Sequence, residues 1–219
     1  MKINFEQLKK STLFSGIGDE DLEKLVDCIS PKMRPIKRGG FVFHAGDKVR
    51  SVYFILKGSM HIVDEDFWGN SSIVETMNEG VLFGEAYVFS EQEFHLVSVC
   101  AAEDSVVLVM NPDTLFETCA SGCGFHSRLV KNALKIVSTK VVRLTSKLRH
   151  VMRRTLREKL FSYLSRCAAA EKSNTFYIPY SRQELADYLC ADRSALSHEL
   201  ARMKKQGLIQ YKKNYFELL

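Results

Sequence analysis

At 219 residues, 46% of them hydrophobic and 26% charged, the chain suits one or two domains with properly buried cores. Its net charge of +5 conceals a division: from Met1 to Thr139, 14 Lys plus Arg stand against 19 Asp plus Glu, a net of −5, whereas from Lys140 to Leu219, 17 stand against 7, a net of +10. A basic C-terminal third is the electrostatic footprint of a segment that meets a polyanion, and the acidic remainder is not shaped for one. No apolar run reaches the length of a membrane span, and Met1 to Lys10 carries neither the apolar core nor the cleavage site of a signal peptide, so a cytoplasmic protein with no membrane partner is expected.

In chain order, residues 2–30 read as helical, with Phe5, Leu8, Leu22, Leu25, Val26 and Ile29 as the apolar positions of a cover. From 34 to 110 the character changes. Phe41–Phe43, Val52–Leu56, Met60–Val63, Ile73–Met77, Val97–Val99 and Ser105–Met110 read as short strands. The turns between them include Gly39-Gly40, Gly46-Asp47, Lys57-Gly58, Gly69-Asn70, Gly80 and Gly84. Turn signals at that density predict a small β jelly-roll barrel, which either holds a ligand or is a packed scaffold. Six cysteines, at 28, 100, 119, 123, 167 and 190, are expected as free thiols in a reducing compartment. Cys119 and Cys123 form the close pair, without a second pair to complete a tetrahedral metal site, and the six histidines lack H-x-H or H-E-x-x-H spacing, so no metal is expected.

Val130, Leu134, Val137, Val141, Leu144, Leu148 and Val151 are spaced 4, 3, 4, 3, 4, 3. Three heptads of apolar a and d positions predict one long helix with a two-stranded coiled-coil seam, hence a homodimer; packing of the same stripe on its own barrel is the alternative. Arg149, Arg153, Arg154 and Arg157 add basic charge beyond it, as an exposed helix face or as phosphate contacts.

Ser181 and Glu184 have the S-x-x-E spacing of a capping box, and Leu185 with Leu189 supplies a buried face. Cys190 and Ala191 make a break, Asp192 caps a second helix running towards Lys205, and Gly207 ends it. On that second helix Leu196, Leu200 and Met203 face inward, which leaves Ser194, Ser197, His198, Ala201 and Lys205 outward with Arg193 and Lys204 beside them. Small and basic side chains on one face suit phosphates and base edges, and a solvated bundle face is the blander reading. Leu208–Tyr211 and Tyr215–Leu218, joined by Lys212, Lys213 and Asn214, read as a wing, with Tyr177–Pro179 as a possible third strand. The predicted DNA-contacting set is Ser181, Arg182, Arg193, Ser194, Ser197, His198, Lys204, Lys205, Lys212 and Lys213. The fold class is α+β, in three parts: a barrel domain at 1–122, a dimerisation helix at 123–152 and a winged helix-turn-helix at 153–219.

The motifs FHAGD at 43–47, YFILKG at 53–58, FGE at 83–85, SRQELADYL and DRSALSHELARMKKQGLI resemble those of the Crp/Fnr family of bacterial transcription regulators across nearly the whole chain. The resemblance implies a barrel that senses a signal, a helix that dimerises, a second helix that enters the major groove of an inverted-repeat operator, and RNA polymerase as a further partner. It puts Arg193, Ser194 and His198 where family members read bases, with Ser197 close by. Three departures matter. In cyclic-AMP-responsive members an Arg-Ser pair holds the phosphate and the Glu after Gly holds the ribose; here Gly84 and Glu85 are present, but His95 and Leu96 replace the pair. A neutral imidazole is a poor substitute for a bidentate guanidinium, and Leu donates no hydrogen bond. Of the cysteine cluster that oxygen-sensing members use for an iron-sulfur centre, Cys28 alone lies in the N-terminal region. His198 stands where many relatives carry Arg.

The expected reading is therefore a regulator whose barrel answers to something other than cyclic AMP. Its pocket is walled by Phe83, Gly84, Glu85, His95 and Leu96, with Arg143 as a further source of positive charge. The order of effectors is an unidentified small molecule, a ligand-free thiol switch, haem, then cyclic AMP, and no resident cofactor is expected. The competing readings are a jelly-roll metal enzyme using His44, His61, His95 and Glu85, and a constitutive DNA binder with a signal-blind barrel.

Overall fold

The computed structural model describes residues 3, 5–66, 68, 71–90, 92–116 and 124–219. Cys119, Cys123 and the Gly69-Asn70 turn lie outside them, as does the expected boundary at 122 and 123. The chain forms two compact units, 1–138 and 139–219.

In the first unit, α1 (Phe5–Lys9) and α2 (Asp19–Ile29) precede the strands. Asp19, Glu20 and Asp21 place negative charge at the N-terminal end of the α2 dipole, and Leu22, Leu25 and Ile29 supply its buried stripe. The strands follow as β1 (Lys32–Ile36), β2 (Phe41–Phe43), β3 (Val52–Lys57), β4 (Ser59–Glu65), β5 (Ser71–Asn78) and β6 (Leu82–Phe83). After the short α3 (Glu85–Phe89) come β7 (Ser98–Ala101), β8 (Ser105–Met110) and α4 (Pro112–Phe116). They make two four-stranded antiparallel sheets, β1-β8-β3-β6 and β2-β7-β4-β5, the two layers of a jelly-roll sandwich.

The period of two along a strand explains why β3 and β8 read as unbroken apolar runs. Tyr53, Ile55 and Val107 point between the sheets, where Val42, Phe43, Met60, Phe83 and Val99 meet them. Val52, Phe54, Leu56, Leu108 and Met110 point the other way, into a second core closed by Leu8, Leu13, Phe14, Leu22, Leu25 and, from the long helix, Leu129 and Ala133. The first sheet is thus buried on both faces. The six expected strands are present, the fifth displaced to Ser98–Ala101. β1 and β6 went unread because β1 carries Pro35 and two cations with a single buried residue, Ile36, and β6 has two residues.

Helix α5 (Gly124–Val151) is continuous, and the division between the units falls within it. The second unit continues with α6 (Leu156–Glu171), β9 (Thr175–Tyr177), α7 (Arg182–Tyr188), α8 (Arg193–Lys205), β10 (Ile209–Lys212) and β11 (Tyr215–Leu218), the strands forming an antiparallel sheet β10-β11-β9. Its core joins Leu160 and Leu164 to Phe176, Leu185, Leu189, Leu196, Leu200, Met203, Ile209 and Phe216. The third wing strand begins two residues before the expected Tyr177–Pro179. Helix α6, absent from the sequence reading, is announced by a complete capping box between Thr155 and Glu158. Among the described residues no helix is long and apolar enough to cross a membrane.

Candidate functional site

The second unit presents α8 by fixing both its ends and its inner face. The Ser181 hydroxyl accepts from the Glu184 N–H at 3.3 Å and the Glu184 carboxylate accepts from the Ser181 N–H at 2.6 Å, which holds the Glu184 carboxyl below the usual carboxylate range. Cys190 turns the chain through a left-handed φ of 49°. Lys159 on α6 ties down that turn, donating to the Leu189 carbonyl at 3.0 Å and the Cys190 carbonyl at 3.4 Å. Asp192 then caps α8, its Oδ1 accepting from the Ser194 N–H at 2.7 Å, the Ala195 N–H at 3.0 Å and the Ser194 hydroxyl at 2.5 Å. These bonds, the hydroxyl's first, hold the Asp192 carboxyl below its ordinary range. Leu196, Leu200 and Met203 are fully buried, and Gly207 leaves the helix with φ 70°.

What remains outward is Arg193, Ser194, Ser197, His198, Ala201, Lys204 and Lys205, all exposed. Ser197 donates back to the Arg193 carbonyl at 2.9 Å, and Lys204 lies 5.5 Å from the Tyr211 ring centre. Glu199, by contrast, is largely buried between Arg157 at 3.9 Å and Arg202 at 3.8 Å. The wing turn exposes Lys212 and Lys213, the latter at a left-handed φ of 55°. Arg182 differs from the other cations of the predicted set. Its guanidinium donates to the Lys213 carbonyl at 3.0 Å and lies over the rings of Tyr211 and Phe216, at 5.2 and 5.6 Å. It braces the wing, an arrangement hidden from a local reading because its partners lie about thirty positions downstream.

The α5 seam is unevenly covered within one chain. Leu129 and Ala133 are buried and Val130, Val137 and Val151 are half-buried, whereas Leu134, Val141, Leu144 and Leu148 are 65, 57, 60 and 49% exposed.

In the first unit Gly84 adopts φ 83° with Tyr53 and the Ser51 carbonyl so close that a Cβ would lie 3.0 and 3.3 Å from them. This turn delivers Glu85, buried, to the start of α3. Phe83 is buried and stacked on Tyr53 at 5.2 Å. His95 is 2% exposed, stacked on Phe43 with ring centres 3.7 Å apart and meeting Tyr87 edge-on at 4.9 Å. Neither ring nitrogen has a hydrogen-bond partner among the described residues. Burial pushes its pKa down, against the pull of Asp47. Leu96 does not share the wall: it is 66% exposed. His95 pairs its backbone with Asp47 and Gly46, and Leu96 follows it at a bend. An open cavity of about 690 Å³ adjoins these rings, lined by Phe43, Tyr53 and Asp47 together with Lys32, Arg34, Lys48 and Arg50. Arg143 belongs to the second unit.

Among the described residues no group of three or more His, Cys, Asp or Glu is placed to hold a metal ion. His44 stacks on Phe41, and His61 Nδ1 lies 3.0 Å from the Thr76 hydroxyl.

Comparison with known proteins meets this geometry in both units. Residues 33–121 match the cyclic nucleotide-binding domain and residues 158–219 the Crp-like helix-turn-helix domain. The chain is 25% identical to the anaerobic regulatory protein of Bacillus subtilis, over 94% of its own length and 86% of the relative's. It is 23% identical to the cAMP-activated global transcriptional regulator CRP of Pasteurella multocida, over 77% of its own length and 80% of the relative's. In fold it is similar to the c-di-GMP-responsive global regulator CLP of Xanthomonas campestris, with a TM-score of 0.55 at 18% identity, covering 90% of this chain and 97% of that one. A nucleotide-binding-type sandwich followed by a winged helix-turn-helix, matched in that order along the chain, places this protein in the Crp/Fnr family of DNA-binding transcription regulators, which are not enzymes.

Proposed function

We propose that the protein acts as a homodimer that reads an inverted-repeat operator through α8, under the control of a signal other than cyclic AMP received in the sandwich. The observation that carries the dimer is the exposed half of the α5 seam. Four large apolar side chains at heptad spacing, about half exposed or more, are a surface that a second α5 covers by knobs-into-holes packing. A two-fold axis then sets two copies of α8 roughly one helical turn, ~34 Å, apart. Arg193 and Ser194 face base edges. Lys204, Lys205, Lys212 and Lys213 meet phosphates, with His198 and Ser197 further along the reading face.

The signal reading rests on His95. An imidazole held neutral by burial and packed face-on against Phe43 offers no fixed positive charge to a cyclic phosphate, and Leu96 points to solvent. Phe83, Gly84 and His95 pack against Tyr53 and Phe43, whose rings line the open cavity, which favours a neutral or ring-bearing small molecule there. Selection from a randomised duplex library, followed by calorimetric titration with cyclic AMP and cyclic GMP, tests both parts. The expected outcome is an inverted-repeat consensus and no nucleotide effect on operator affinity. Micromolar nucleotide binding coupled to tighter operator binding overturns the signal reading, and a consensus without two-fold symmetry overturns the dimer.

A further inference from the structure

The reading face of α8 carries two hydroxyls, and both have their one proton committed inside the protein. Ser194 Oγ donates to Asp192 Oδ1 at 2.5 Å, and Ser197 Oγ donates to the Arg193 carbonyl at 2.9 Å. A serine hydroxyl has one donor and two acceptor lone pairs, so what each still offers outward is acceptance. The Ser194 bond is the firmer of the two. Its acceptor is a carboxylate, and hydrogen bonds to ionised groups are about twice as strong as neutral ones. The same oxygen also holds the Ser194 and Ala195 N–H groups, so Ser194 is drawn in along with the cap that starts the helix. The Ser197 bond is the i to i−4 back-bond of a serine inside a helix. Donating in each case polarises the oxygen and makes it the better acceptor.

The donors of the face are therefore confined to Arg193, His198 and the lysines, and the serines supply the complementary polarity. In the major groove hydrogen-bond donors come from two groups, adenine N6 and cytosine N4; guanine and thymine show acceptors, with a methyl on thymine. We infer that Ser194 and Ser197 select amino-bearing bases, so that at the strand positions they face the operator carries adenine or cytosine in preference to guanine or thymine. This rests on the reading that α8 enters the major groove, and it adds what two positions of each half-site must contain. Arg193, with its donors outward, selects the acceptor-rich guanine edge beside them.

The test is library selection with the full-length protein and with Ser194→Ala and Ser197→Ala. Both positions are exposed, so each variant keeps the fold, which thermal melting and far-UV circular dichroism verify. The wild type is expected to enrich adenine or cytosine at positions where one alanine variant, and not the other, loses the preference. Replacing the selected base by an analogue without its amino group, purine for adenine or 2-pyrimidinone for cytosine, should then weaken wild-type binding about three- to tenfold, the effect of one net hydrogen bond, and leave the matching alanine variant unaffected. Enrichment of guanine or thymine at those positions, or alanine variants with the wild-type profile, overturns the inference while leaving α8 as the reading helix. Failure of the wild type to enrich any sequence overturns the major-groove reading and this inference together.

Discussion

Placing charge in the α5 seam should dissociate the protein without unfolding it. Leu134 and Val141 are 65 and 57% exposed, and Leu144 and Leu148 are 60 and 49% exposed. Fully burying such a side chain is worth roughly 1.5–3 kcal/mol, so covering the half or more that one chain leaves open is worth about 1–2 kcal/mol each. In a two-fold seam every position counts twice, giving roughly 8–16 kcal/mol gross against an association cost of about 4–15 kcal/mol. The margin is thin, and half of the gross stabilisation rests on two positions. Leu134→Asp with Val141→Asp removes about 4–8 kcal/mol and sets four carboxylates in an apolar seam, which raises the dimer dissociation constant by roughly three orders of magnitude or more.

Sedimentation velocity across a dilution series measures the dissociation constant directly. Because both side chains face outward within one chain, the variant monomer should stay folded by circular dichroism and melt cooperatively, its melting point lowered only by the lost dimer linkage and no longer dependent on concentration. A double variant that stays dimeric over the wild-type concentration range refutes the seam. So would a variant that loses its fold along with its partner, since the positions would then belong to a core.

His95 and His150 are both held below their ordinary pKa of 6.5, His95 by burial and His150 by burial followed by Arg166, Arg149 and Arg153. Below pH 6.5 the unfolded chain therefore takes up protons first, so stability present at neutral pH falls on acidification towards the lowered folded values, by up to about 1.4 kcal/mol per pH unit for each histidine. Urea midpoints as a function of pH check this, and His95→Phe, which keeps a ring on Phe43, should flatten the fall in the first unit. Arg193→Ala should cost on the order of 1–3 kcal/mol on the selected operator and relax its sequence preference, whereas Lys213→Ala should weaken all duplexes alike and make the salt dependence shallower by about one counterion. Equal losses on specific and random duplexes demote Arg193 to a phosphate contact. Leu200→Ala, at a fully buried position of α8, should destabilise the second unit by about 2–5 kcal/mol, read as a lower urea midpoint; an unchanged midpoint contradicts the packing of α8 on that core.

What was legible in the sequence was what is written locally. Ser181 with Glu184 and Asp192 with Ser194 announce helix ends because the bonding partners lie within three residues. The α5 stripe was legible for the opposite reason, since half of it is uncovered by its own chain and keeps its heptad spacing free of other packing demands. What stayed hidden was decided by distant partners. His95 reads as a vacant phosphate position until Phe43, 52 positions earlier, is found stacked on it. Arg182 also has a structural role that its local sequence does not show, because its partners Lys213, Tyr211 and Phe216 lie far along the chain. The family resemblance sets Leu96 beside His95 at the Arg-Ser positions, but it lies at a bend and is exposed. The serines of α8 are the subtlest case, because their identity was plain and the direction of their protons was not.

Helix α5 supplies side chains to the cores of both units. Leu129 and Ala133 belong to the core beside the sandwich, while Ser146 and His150, further along, are buried in the second unit. There His150 Nδ1 lies 2.8 Å from the Ser162 hydroxyl, and its ring packs near Tyr163 and Tyr188. Between Phe125 and Val151 there is no proline or glycine, so α5 lacks the residues at which helices kink most readily. An effector in the sandwich alters operator affinity only if it prefers one arrangement of those anchoring contacts over another, since a ligand with equal affinity for two states moves neither. On the proposed reading, a signal received in the sandwich must therefore contact two arrangements of the protein differently, whatever its chemistry.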